Sequence, residues 1–140
     1  MSASAPAGQR VVHARDRIGR GPWFNAKGER VAASVADLHR DDNGLGLVTS
    51  LTEKGDIVAF GRHDMLTGSN RNGTLATGAP DTTCKNWTSS SGIARLGHHD
   101  KSGGGQFPES WNSAHLSDGC SPAELRATFG DGLFYCFAEK

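Results

Sequence analysis

No stretch of this chain is long and apolar enough to cross a bilayer, which takes about 20 consecutive predominantly apolar residues. The opening residues, MSASAPAGQR, lack the apolar core of a signal peptide. Charge of neither sign is in excess, with 15 Lys and Arg against 15 Asp and Glu. A balanced chain has no overall field to draw it to nucleic acid or an anionic membrane. Arg10, Arg15, Arg17 and Arg20 read as a solvated arm or helix face. Also absent are a Gly-x-Ser-x-Gly elbow, a His-Glu-x-x-His pair, a P-loop and a Gly-x-Gly-x-x-Gly turn. These absences argue against an enzyme. No catalytic residue is assigned and no cofactor is expected.

Cysteine is scarce. The chain has three, at Cys84, Cys120 and Cys136, and no Cys-x-x-Cys pair. Closing a loop from Cys84 to either of the others is worth about 4 kcal/mol on a chain-entropy account, so entropy does not choose between them. The local pattern does. LFYCF is apolar throughout and reads as a strand buried on both faces, with Cys136 inside it as a small hydrophobe. Cys120 lies in the loop LSDGCSP, where a staple has most to hold. The expected bond is Cys84–Cys120, with Cys136 a free thiol. Such a bond implies an oxidising compartment, secreted, extracellular or periplasmic.

What the chain has in quantity is glycine, 19 of 140 residues. That composition predicts short elements joined by loops. A helix is expected over residues 10–18. A second, over RVAASVADLH, has Val31, Val35 and Leu38 at helical spacing. DIVAF, RHDMLTG, TLATG and GIARLG read as strands, with the Asn-Gly of NRNGT as a hairpin turn. From His98 to Pro122 the periodicity fades, and unstructured stretches of this length usually carry function. AELRATF alternates through Leu125, Ala127 and Phe129 and predicts a final hairpin with LFYCF. The fold class is α+β with a mainly antiparallel sheet.

The run VAFGRHDMLTGSNRNGTLATGAPDTTCKNW, followed by WNSAHLSDGC and LFYCF, is similar to the endostatin-like branch of the C-type lectin-like fold and to related bacterial secreted domains. The likeness rests on Gly68, Ser69, Asn70 and Gly73 of a hairpin, then Cys84 and Trp87, then Cys120, then the aromatic segment Phe134 to Phe137. It covers roughly residues 30–138. It implies a core helix at Val31–His39 and Cys84–Cys120 as the inner bond of a long stapled loop. The family's outer bond would join Cys136 to a cysteine near the N-terminus, and this chain has none before Cys84. Residues 1–9 then read as a disordered leader or processed terminus, and 10–140 as a single lectin-like domain.

The family's members bind carbohydrates and proteins, so the resemblance implies a binding module whose partner is a carbohydrate or an extracellular protein surface. No nucleic acid and no membrane span are expected, and the oligomeric state is left open. The expected binding surface comprises His98, His99, Asp100, Trp111, Asn112 and His115, with Trp111 as an exposed aromatic. Trp87 is expected to pack on the disulfide. A calcium-dependent sugar site is disfavoured, because Trp111-Asn112 is followed by serine where a carboxylate is needed.

Two alternatives stand beside this. One is a zinc-type metal site at His98, His99, Asp100 and His115, structural or hydrolytic, with His63 and Asp64 as further candidates. On a strand, adjacent His98 and His99 point to opposite faces, so only one can join a given site. The other is a structural or assembly domain of a larger secreted protein.

Overall fold

Short elements and long connections are what the glycine content predicts, and they are what the computed structural model contains. It describes residues 1–3 and 10–138. After a 3-10 turn at Ala14–Asp16 come β1 (Trp23–Phe24), β2 (Arg30–Ala32), α1 (Val35–Leu38), β3 (Asp64–Leu66) and α2 (Cys84–Trp87). Then follow β4 (Arg95–His98), β5 (His115–Leu116), α3 (Pro122–Ala127) and β6 (Gly130–Leu133). The fold is α+β, with small sheets and few helices.

β1 and β2 pair antiparallel, and the other four strands form a sheet in the order β5-β4-β3-β6. The β5-β4 and β4-β3 pairs are antiparallel and the β3-β6 pair is parallel. The register sets Asp64 opposite His98, Leu66 opposite Leu96, and His115 opposite Leu96. Side chains alternate across a pleated strand. Asp64, His98 and His115 therefore share one face of the sheet, while Met65 and His99 share the other. Gly97, between Leu96 and His98, is where Trp111 crosses the strand. A Cβ there would lie 1.9 Å from the Trp111 carbonyl oxygen, so only glycine lets the two backbones meet.

The Cys84–Cys120 disulfide is present, and Cys136 is free. The bond ties α2 to the loop ahead of α3. Trp87 packs against a small core of Cys84, Ala94, Leu96 and Cys120, as expected. α2 is a single turn wound left-handed, with φ of 50, 53, 60 and 64° from Cys84 through Trp87. Left-handed turns of non-glycine residues cost roughly 1–2 kcal/mol per residue. The Asp81 carboxylate holds this one by accepting the Thr83 hydroxyl at 2.6 Å and the Lys85 N–H at 2.8 Å. The main core lies elsewhere, around Ile18, Trp23, Val31, Ala32, Leu38 and Trp111, with Tyr135 and Phe137 packed on it.

Several expectations are corrected. The helix expected over residues 10–18 shrinks to the 3-10 turn. RVAASVADLH splits, because Arg30–Ala32 pairs with β1 and Ser34 starts the helix afresh, its hydroxyl accepting the Asp37 N–H at 3.2 Å. DIVAF and TLATG contribute only isolated bridges, Leu51 to Ile57 and Ser69 to Leu75. AELRATF is not a strand. Pro122 and Glu124 begin α3 behind a capping box in which Ser121 and Glu124 bond each other's backbone N–H. LFYCF is not buried on both faces. Beyond Leu133 it leaves the sheet, Phe134 is 56% exposed, and Cys136 lies at the surface.

The leader expected over residues 1–9 falls largely on 4–9, outside the described residues. Of its described part, Ser2 is fully buried. Its hydroxyl meets that of Ser69 at 2.7 Å, and its carbonyl accepts the Trp87 indole N–H at 2.8 Å.

Candidate functional site

Three histidines converge on one carboxylate oxygen. Asp64 Oδ1 lies 3.3 Å from His98 Nε2, 3.3 Å from His115 Nε2 and 3.4 Å from His63 Nε2. The sheet register explains the first two, since His98 lies directly across from Asp64 and His115, one strand further out, is diagonal to His98. His63 precedes β3 and folds back so that its ring stacks on His98, centroids 4.4 Å apart. Asp64 and His98 are buried, and the His63 and His115 side chains keep 19% and 23% exposure. One ligand-type atom from each of His63, Asp64 and His98 lies within 4.8 Å of the others.

The far side of each ring is also fixed. His98 Nδ1 lies 2.8 Å from the Pro108 carbonyl, and His115 Nδ1 2.9 Å from the Leu116 carbonyl. His63 Nδ1 faces an Asp100 oxygen at 3.4 Å. Carbonyl oxygens only accept, so Nδ1 of His98 and of His115 carries the proton, while each ring nitrogen of His63 faces a carboxylate oxygen at 3.4 Å. In the neutral rings of His98 and His115 that leaves Nε2 as a lone pair toward Asp64, and a second proton there would make the ring a cation that donates to the carboxylate. None of these close contacts is aligned as a hydrogen bond at the buried end. Both Asp64 oxygens and His98 Nε2 lack a hydrogen-bond partner. Asp100 is steadied in turn by the Ser102 hydroxyl at 2.8 Å and the Ser102 N–H at 3.1 Å.

The electrostatics follow. Burial pushes the Asp64 carboxyl up, but the His115 and His98 contacts outweigh it and hold the group at about 2. The same Asp64 contact raises His115 above the usual histidine value against the opposing effect of burial. The glycine tract lies on the cluster's rim. A Cβ at Gly103, whose φ is +103°, would meet His63 Cε1 at 2.7 Å.

This donor set fits a metal ion. Tetrahedral zinc with bonds of about 2.0–2.1 Å separates its ligand atoms by roughly 3.3–3.4 Å. The three spacings from Asp64 Oδ1 match that edge, and the group in which every pair of ligand atoms lies close comprises His63, Asp64 and His98, without His115. The backbone and carboxylate partners at each Nδ1 are the outer contacts that orient metal-binding histidines.

Of the six residues expected to form a binding surface, the structure gathers only His98 and His115 around Asp64, with Asp100 behind His63. His99 turns to the opposite face, as strand alternation predicts. It is 2% exposed, and burial lowers its pKa. Trp111 is not an exposed aromatic. It is 6% exposed and packs edge-on against Tyr135 at 5.0 Å. Asn112 is 3% exposed, and its amide donates to the carbonyls of Asn70 and Arg71. His63 and Asp64 stood only as further candidates. The signal that promotes them is the alternation of RHDML against RLGHH once the two strands are paired.

The outer face of the stapled loop holds a second, shallower feature. Asn70, Arg71, Asn72, Arg95, Gln106 and Phe107 surround an open basin of about 480 Å³. The Arg71 guanidinium sits 4.9 Å from the Phe107 ring centre. Compared with family models, with curated proteins and with solved structures, the chain matches none.

Proposed function

We propose that this chain is a metal-holding domain, in which His63, Asp64 and His98 bind a divalent transition ion of the zinc class, with His115 contacting Asp64 beside them. One observation carries the reading. Imidazole nitrogens of His63 and His98 converge with a buried carboxylate, Asp64, whose two oxygens have no aligned hydrogen bond. A metal cation would satisfy that arrangement, and a proton added at His115, which the Asp64 contact favours, is the competing way to satisfy it. Three protein donors leave one tetrahedral position for water or a further ligand. The ion would tie β3 to β4 as the disulfide ties α2 to the loop before α3.

The test is a titration of chelator-treated protein with Zn²⁺, alongside Co²⁺ read by its visible spectrum. One equivalent is expected to bind, with a tetrahedral Co²⁺ band. Asp64→Asn and His98→Gln should each abolish it. Failure to bind, or equal binding by Asp64→Asn, removes the reading.

A second reading concerns the domain's partner. The α+β architecture and the stapled loop support a lectin-like binding module, and the disulfide is compatible with an extracellular or periplasmic setting. No described helix is long and apolar enough to cross a membrane. The basin around Arg71 and Phe107 favours recognition of a carbohydrate or a polar protein surface, since amides and a guanidinium stacked on an aromatic suit hydroxyl-rich ligands. Glycan-array binding that survives Phe107→Ala would count against this location.

A further inference from the structure

The opposite face of the sheet holds a cavity that the metal reading does not use. It has a volume of about 610 Å³ and lies between residues 45–62 and the segment 133–138. That is within the usual range for small-molecule sites, roughly 300–1,000 Å³. Its walls include Trp23, Leu38, Leu45, Ile57, Met65 and Leu133. It reaches deep, since Leu38 and Met65 are 0% and 4% exposed. Its rim is apolar as well, with Phe24, Ile57 and Phe134 each more than half exposed. Protein interiors pack to the density of organic crystals, and an apolar void costs stability in proportion to its volume.

Two buried polar side chains interrupt the deep wall, and one of them, Ser50, is satisfied by donating to the His99 carbonyl at 2.8 Å. His99 lines the cavity, is 2% exposed, and its Nδ1 is buried without a hydrogen-bond partner. The charged lining residues, Glu53 and Arg62, are exposed, and Arg62 is already paired with Asp131 at 3.3 Å. Such a wall suits a hydrocarbon body that ends in one neutral hydrogen-bonding group. A fixed charge at the deep end would meet no counter-charge. The depth excludes a flat protein surface, which could cover the rim but not reach Leu38.

We propose that this cavity binds an uncharged amphiphile, a slender hydrocarbon bearing a single hydroxyl or carbonyl group that hydrogen-bonds His99. The probes are 1-octanol, octanoate and toluene, titrated into the whole chain and read by methyl NMR shifts at Met65, Leu45 and Ile57. Octanol should shift all three saturably, with octanoate at least tenfold weaker. His99→Leu should weaken octanol by about tenfold and leave toluene unchanged, and His99→Gln should restore part of the difference. Should His99→Leu fail to fold, Val58→Trp, which fills the cavity from its rim, should abolish octanol binding while Zn²⁺ uptake persists. The proposal is overturned if octanol gives no saturable shift, if octanoate binds as well as octanol, or if Val58→Trp binds octanol normally. Shifts at these methyls that follow protein concentration alone would also overturn it, in favour of a second copy of the chain at the rim.

Discussion

His98 and His99 are consecutive and both buried, yet they face opposite environments. His98 points at a carboxylate with two further imidazoles around it. His99 points into a wall of aliphatic and aromatic carbon. The pleat of β4 alone separates them, because one residue along a strand is one face across the sheet. The first site has donors without a positive charge to share. The second has apolar volume without atoms to fill it. Each is incomplete in a different way, and each defines its missing occupant by that deficit.

The largest break in this comparison comes from the covalent tie that frames β4. Replacing Cys84 and Cys120 together by alanine should cost about 4 kcal/mol, a large share of the roughly 5–15 kcal/mol that holds a domain folded. A thermal melt should drop steeply, and both sites should vanish together.

Next in size is the separation of the two histidines. His98→Leu should lower Zn²⁺ affinity more than about a hundredfold, beyond the loss of an outer partner. His99→Leu should leave it unchanged. Calorimetric titration of the pair checks this, and a shared loss would mean that the two faces are not independent.

Gly103→Ala comes third. It places a side chain at φ +103° and 2.7 Å from His63 Cε1. A cost of about 1–3 kcal/mol is expected from the backbone alone, measured by urea unfolding of metal-free protein. Ala at Gly104, where nothing lies within 4 Å, should be nearly neutral and is the control.

A half-buried histidine outside both sites sharpens the pH side. Burial lowers the pKa of His39, whose Nδ1 lies 2.7 Å from the Val35 carbonyl. The unfolded chain therefore takes up this proton first. Stability should fall as pH drops below about 6.5 toward the lowered folded value, and the loss should level off beneath it. Urea midpoints at pH 7.5 and 5.0 should differ less in His39→Gln than in the parent.

The smallest effect should be a gain. Lys85→Gly relieves a left-handed residue at φ 53°, and a stabilisation of about 0.5–1 kcal/mol is expected once glycine's own entropy is deducted.

The sequence signals that worked were local and geometric. The strand signal in RHDML and GIARLG, and the alternation of His98 with His99, needed only the pleat. The Cys84–Cys120 bond followed from where a loop most needs holding. What failed had two readings at the level of the string. AELRATF alternates like a strand, but Ser121-Pro122 and Glu124 spell a helix start, and hydrogen-bond capping outweighed the alternation. Trp111 looked like a loop aromatic open to solvent. Gly97 lets its backbone cross β4, and the ring then packs against Tyr135 and Phe137 from the end of the chain. The centre at Asp64 was only partly legible, because its residues come from three strands whose pairing no short window contains.

The sulfur of Cys136 has a practical consequence. It is the one unbridged cysteine, it is exposed, and it borders the apolar cavity. A thiol-selective dye would attach at a single known address on the rim of the His99 face, away from Asp64. Its emission would then register traffic through that doorway, and labelling would slow whenever a guest stood in it.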